Sequence, residues 1–234
     1  MLYYLLRPLF WLLFRSILAV LGGLRVRDRG RVPKRMGVIV ASNHISFADP
    51  AVIGVALGRS AWFMATDEMF QIPVLGRLAR IMRAYPIRQD SPDRAALRRT
   101  ADLVKQGNAV VIFPEGHVSK NGQLQRILPG TILVAMQTGA PTLPVGVIAT
   151  DSMMPPHQWR LHHAGRPMEV RFGEPIPVSE LTGGLKGRAA IDHGVRRLGE
   201  AIAALIEQPA SDSAVQASRL APENPLAEGR NCGV

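Results

Sequence analysis

Between Gly37 and Pro50 a β-branched apolar run ends abruptly in Asn43-His44, and after four intervening residues comes Asp49, directly before Pro50. An imidazole and a carboxylate in one short turn can lie close enough to hydrogen-bond. That pairing holds a histidine in one tautomer and makes it a general base. The same Asp49 has a plainer use, because Asp before Pro is an ordinary helix N-cap with proline in the first helical position. Spacing alone leaves both uses open. Seventy residues on, the apolar run Ala109 to Phe113 breaks into Pro114-Glu115-Gly116, a second sharp polar turn out of a buried strand. Ligands of open α/β sheets bind where strands end at their carboxyl edge, so the two turns are expected to line one cleft. Glu115 also has a bland reading, as a turn residue that binds nearby backbone amides.

The elements that must position these residues alternate along the chain. Val38 to Ala41, Ala61 to Ala65, Ala84 to Ile87, Ala109 to Phe113, Thr142 to Ile148 and Glu169 to Phe172 read as strands, with Leu24, Val26 and Val32 able to form a short one. Pro50 to Leu57, Glu68 to Arg83 (broken at Pro73), Ser91 to Gln106, Gly130 to Thr138 and Lys186 to Glu207 read as helices. Ser91-Pro92 is the expected N-cap and first turn of the third of these. Pro114 to Pro129 is a long polar loop. The rhythm predicts one α/β domain over residues 25–207, with a mixed, mainly parallel sheet flanked by helices. Residues 208–234 lack periodicity and are expected to be a disordered tail.

The chain has 234 residues, enough for one sizeable core, and 47% of them are hydrophobic. Its 28 Lys and Arg against 18 Asp and Glu give a net charge of +10, which favours an anionic partner such as a membrane, a phosphorylated substrate or nucleic acid. No helix-turn-helix, RRM or basic heptad pattern is present, which speaks against nucleic acid. The single cysteine, Cys232, excludes an intramolecular disulfide, and the six histidines show no metal-ligand spacing, so no metal is expected.

Residues 1–24 form an almost unbroken apolar stretch, expected to be a membrane-associating helix. No basic start or cleavage site marks a secretory signal, and Arg15 interrupts any run long enough to span a bilayer. On a helical wheel Tyr3, Tyr4, Arg7, Trp11 and Arg15 fall within roughly 120°, a basic and aromatic side suited to lying at a lipid interface. A buried core helix is the alternative. Six basic residues follow between Arg25 and Arg35, opposed only by Asp28. This cluster favours anionic headgroups and places the body at the cytoplasmic face of the cell membrane.

Asn43-His44, Asp49-Pro50 and, about 65 residues later, Phe113-Pro114-Glu115-Gly116 resemble the glycerolipid acyltransferase family, which includes the 1-acylglycerol-3-phosphate O-acyltransferases. The resemblance covers roughly residues 37–150 and extends to Tyr85-Pro86-Ile87-Arg88 and Leu143-Pro144-Val145. It implies acyl transfer from an acyl-CoA or acyl-carrier-protein thioester to the hydroxyl of a lysophospholipid, with no cofactor or metal. By position it makes His44 the general base, Asp49 its orienting partner, and Glu115 and Gly116 part of the acceptor site. Two positions depart from the family pattern: Val118 and Gln89 stand where arginines are common. Arg88, Lys120 and Arg126 are then the candidates to meet the acceptor's anionic group. The departures also keep open a different lysolipid or amine acceptor, or a membrane adaptor that has kept the fold without turnover. A hydrolase, with water replacing the hydroxyl, is a further alternative. Ser42 and Ser46 flank His44 outside any nucleophile elbow, and backbone amides at the start of the helix after Pro50 are the expected oxyanion donors.

Overall fold

The computed structural model describes residues 2–88, 93–156, 158 and 160–208. Seven strands, β1 (Leu24–Arg27), β2 (Val38–Ser42), β3 (Ala61–Thr66), β4 (Ala84–Ile87), β5 (Ala109–Ile112), β6 (Thr142–Ile148) and β7 (Met168–Phe172), make one sheet in the order β1-β7-β6-β2-β5-β3-β4. The five from β6 to β4 run parallel; β6 and β7 pair antiparallel, and β1 runs parallel to β7. Every residue of β2 and β5 is buried, as a parallel strand covered on both faces requires.

Helices cover both sides. On one face pack Leu18 of α1 (Leu2–Val20), Val52 and Ile53 of α2 (Asp49–Leu57), Leu78 of α4 (Pro73–Ile81) and Met153 of α7 (Thr150–Met153). On the other pack Val104 of α5 (Arg94–Lys105), Ile132 and Ala135 of α6 (Gly130–Thr138), Leu181 of α8 (Val178–Thr182) and Ile202 of α9 (Gly187–Glu207). The short α3 (Asp67–Gln71) precedes α4 across the Ile72-Pro73 break.

This winding creates a switch point. From β2 the chain passes through α2 on the first face to β3, whereas from β5 it passes through α6 on the second face to β6. β2 and β5 are neighbours, with Ala41 beside Ile112, so the loops that follow them diverge to opposite faces. Their carboxyl ends are the place where open α/β sheets bind ligands.

Three details differ from the sequence reading. The helix expected to start at Ser91 starts at Arg94, and its cap is Asp93, which accepts from Ala96 N at 2.9 Å. Ser91, Pro92, Gln89 and the tail from residue 209 lie outside the described residues. The helices α7 and α8 were not anticipated; four and five residues give too little periodicity to read. On α1, Trp11 does not belong to an outward aromatic side. It packs with Phe14 and Leu18 on the core, seated over Gly54 so closely that a Cβ there would meet its ring. Leu9, Leu12, Leu13 and Arg15 face outward instead. A glycine notch on a helix 43 residues away decides which side turns in. The side chains of Tyr3, Tyr4 and Arg7 are not among those described.

Candidate active site

β2 ends in Ser42, and the next residue locks the turn. Asn43 donates from Nδ2 to Val147 O (2.9 Å) and accepts at Oδ1 from Val147 N (2.7 Å), fixing the end of β2 to β6. His44 follows, and its backbone is held on both sides by the loop after β5. His44 N donates to Glu115 Oε1 (2.8 Å), and His44 O accepts from Ser119 N (2.7 Å). Its ring stacks on Phe113, with centroids 3.9 Å apart and planes 19° from parallel. The backbone contacts and the stack orient the side chain before any substrate arrives.

His44 Nδ1 lies 2.8 Å from Asp49 Oδ2. Because a carboxylate only accepts, Nδ1 carries the proton and Nε2 is left as a base. The histidine side chain is 14% exposed and the Asp49 side chain 0%. Asp49 survives this burial through four donors: His44, Ile45 N (2.7 Å) and Ser46 N (2.8 Å) on Oδ2, and Thr150 Oγ1 (2.5 Å) on Oδ1.

The N-cap reading of Asp49 is corrected here. The residue is the first of α2, the cap position is Ala48, and no side chain caps the helix. Instead of reaching forward to the helix amides, the carboxylate reaches back over the turn that carries His44. The expected oxyanion donors are corrected as well. Asp49 N donates to Ser46 O, and Ala51 N and Val52 N donate to Ala48 O, so the amides at the start of α2 are already engaged.

Glu115 is 6% exposed, and both its oxygens take backbone amides, Oε1 that of His44 and Oε2 that of Gln125 (2.7 Å). Burial pushes its carboxyl up, and the amides of Gln125 and His44 oppose the rise. The residue braces the loop against the histidine turn. Gly116 takes φ +78°, a left-handed conformation that suits glycine, and lets Pro114-Glu115 turn sharply while its N–H bonds Phe113 O (3.0 Å). Arg88, Lys120 and Arg126 are exposed; Arg88 follows the edge strand β4, and the other two lie on the loop after β5. Val118 is half-buried. The two serines are committed elsewhere: Ser42 Oγ donates to Asn43 O (3.0 Å), Ser46 Oγ to Met154 O (2.8 Å). Among the described residues no group of three or more His, Cys, Asp and Glu could hold a metal ion.

Phe113, Asn43 and Thr150 complete the site. Phe113 and Asn43 stand inside the two sequence motifs, near Glu115 and beside His44; Thr150 carries no local signal in the sequence.

A doubly wound α/β sheet with a histidine–carboxylate pair at its switch point has the parts that transfer or hydrolysis assisted by a general base would use. The profile of the Acyltransferase family matches residues 23–148, and the chain belongs to that family. It is 35% identical over 119 residues to a chloroplast 1-acyl-sn-glycerol-3-phosphate acyltransferase of Brassica napus, covering 50% of this chain and 34% of that one. A Bacillus subtilis protein named 1-acyl-sn-glycerol-3-phosphate acyltransferase is 28% identical over 169 residues, 71% of this chain and 80% of the relative. This chain thus spans about a third of the plant relative's length and most of the bacterial one's. The fold matches the crystal structure of the 1-acyl-sn-glycerophosphate acyltransferase PlsC from Thermotoga maritima. The TM-score is 0.71 at 20% identity, over 89% of this chain and 82% of that one.

Proposed function

We propose that this chain transfers a fatty acyl group from a CoA or acyl-carrier-protein thioester to the free hydroxyl of 1-acylglycerol-3-phosphate. The observation that carries the reading is the 2.8 Å contact of His44 Nδ1 with a fully buried Asp49, which leaves Nε2 as a base at the switch point. The acceptor hydroxyl gives its proton to Nε2 as its oxygen bonds to the thioester carbonyl carbon. The C–S bond then breaks, and the imidazolium returns the proton to the departing sulfur. Asp49 balances the transient positive charge on the ring. No acyl-enzyme forms, in keeping with the engaged hydroxyls of Ser42 and Ser46. Lys120, Arg126 and Arg88 supply positive charge for the acceptor phosphate, and Glu115 with Gly116 shapes the loop that presents the first two.

The test is a panel of lysolipids offered to the purified chain with acyl-CoA and with acyl-carrier protein, read by mass spectrometry. Phosphatidic acid from lysophosphatidate is the expected product. Because Val118 replaces an arginine common in the family, stronger turnover of a lysolipid lacking the phosphate is the outcome that would reassign the acceptor. Free fatty acid without acceptor would mark a hydrolase, and vesicle binding without turnover an adaptor.

The same reading requires access to lipid. Among the described residues no helix is long and apolar enough to cross a membrane. Exposed apolar side chains nevertheless gather on one face of the sheet, Leu9, Leu12 and Leu13 on α1 and Ile72 and Val74 (74% exposed) at the start of α4. Neither helix carries an acidic residue, and Arg15 and Arg77 are exposed beside these apolar groups. We infer a peripheral contact of this face with an anionic bilayer at the cytoplasmic face of the cell membrane. In co-sedimentation with phosphatidylglycerol vesicles, Leu12→Asp/Val74→Asp is expected to bind about tenfold more weakly than the unaltered chain. Equal binding would refute the contact.

A further inference from the structure

We propose that Thr150 is a positioning residue for the base, acting through Asp49; the proposal rests on the reading of His44 as general base. Thr150 opens α7, 101 residues beyond Asp49, and is fully buried. Its hydroxyl donates to Asp49 Oδ1 at 2.5 Å, the shortest of the four bonds to that carboxylate. The other three converge on Oδ2, so among the described residues Thr150 alone engages Oδ1. Rotation about the Cβ–Cγ bond moves both oxygens, so the donor on Oδ1 adds to the three on Oδ2 in holding the plane of the carboxylate that Nδ1 meets.

The backbone before Thr150 is built for this placement. β6 ends at Ile148, and Ala149 takes φ +64° and ψ +11° while 2% exposed. A non-glycine residue in the left-handed region costs on the order of 1 kcal/mol and persists only where its surroundings over-determine it. Here that turn swings the chain from β6, the neighbour of β2, into α7, and places Thr150 against the first residue of α2. A buried threonine hydroxyl in a helix commonly bonds back to the carbonyl four residues earlier. At the first position of α7 its proton goes to Asp49 instead.

Two consequences separate positioning from packing. Without the hydroxyl, Asp49 Oδ1 loses its donor, so the carboxylate becomes the better acceptor toward the imidazolium and the acid limb of the activity profile is expected to move up. The carboxylate is also freer to turn, so fewer encounters find Nε2 aligned. The charged group that bears on this pair is Glu115, which feels both His44 and Asp49; Asp151 follows Thr150 in the chain, with its Oδ2 3.6 Å from where a Cβ on Gly122 would stand.

The experiment compares Thr150→Val, Thr150→Ala and Thr150→Ser in the full chain, with turnover of lysophosphatidate and acyl-CoA measured from pH 5 to 9 below each melting temperature. The two variants without a hydroxyl are expected to lose about tenfold in kcat with KM for both substrates within about twofold, and to shift the acid limb of kcat/KM upward by about half a pH unit or more. Thr150→Ser should return kcat to within about threefold and restore the limb. An unchanged limb in the variants without a hydroxyl, or a serine variant as impaired as valine, overturns the proposal. So does failure of both hydroxyl-free variants to fold, which would make Thr150 a packing residue. His44→Ala keeps the two readings apart: full activity there removes the base itself, while loss there with normal Thr150 variants removes only the present proposal.

Discussion

Replacing His44 with alanine is expected to lower acyl transfer by about 10³-fold while leaving the fold intact. The magnitude is that of a positioned base lost from a reaction whose nucleophile, an alcohol, is weak at neutral pH. The fold argument is specific. The contacts that hold the histidine turn are made by its backbone, N to Glu115 Oε1 and O to Ser119 N, and alanine keeps both. Asp49 keeps Ile45 N, Ser46 N and Thr150 as donors. What is removed is one ring stacked on Phe113, which costs roughly 1 kcal/mol of stability beyond the lost apolar area. Turnover of lysophosphatidate in vesicles, with a thermal melt of the same sample, measures both. Activity within tenfold of the unaltered chain would reject His44 as the base. Partial recovery of His44→Ala in added imidazole would support it.

Asp49→Asn is expected to lose about 10² to 10⁴ in kcat and little stability, for a reason the geometry supplies. An amide oxygen can occupy the Oδ2 site and keep the bonds from Ile45 N and Ser46 N. Its NH₂ then faces Thr150 Oγ1, and a hydroxyl rotates to accept as readily as it donates. The neutral residue therefore fits, at a cost of about 1 kcal/mol for the exchanged hydrogen bonds. What it lacks is charge, and the imidazolium formed as the hydroxyl is deprotonated loses its counter-ion. The paired measurement is kcat against melting temperature. A large fall in melting temperature with kcat nearly unchanged would make Asp49 a structural brace for the turn.

The strand rhythm, the mainly parallel sheet and the two turns at its carboxyl edge were legible in the sequence because each rests on local signals: apolar runs bounded by proline, glycine and polar residues. The pairing of His44 with Asp49 was legible for the same reason. Which way Asp49 points was not, since a carboxylate beside a proline reaches the helix amides or the preceding turn with equal ease on paper. The outcome depends on β6, which lies beside β2 and delivers Thr150 from 101 residues away. Asn43 was opaque likewise, its partner Val147 being 104 residues distant. The seating of Trp11 on Gly54 is the same failure on the surface of α2. Non-local placement, rather than residue type, is what a single sequence withholds.

The brace at Glu115 has a consequence for how such an enzyme diversifies. Its carboxylate ties the amides of His44 and Gln125, and Ser119 N ties back to His44 O, so the inner side of this loop is anchored through main-chain groups. His117, Lys120 and Arg126 point outward from the same loop. Substitutions at Lys120 and Arg126 therefore leave these main-chain hydrogen bonds untouched. With the outer side chains reading the headgroup, as proposed above, a chain built this way would change its lipid without rebuilding the turn that holds His44.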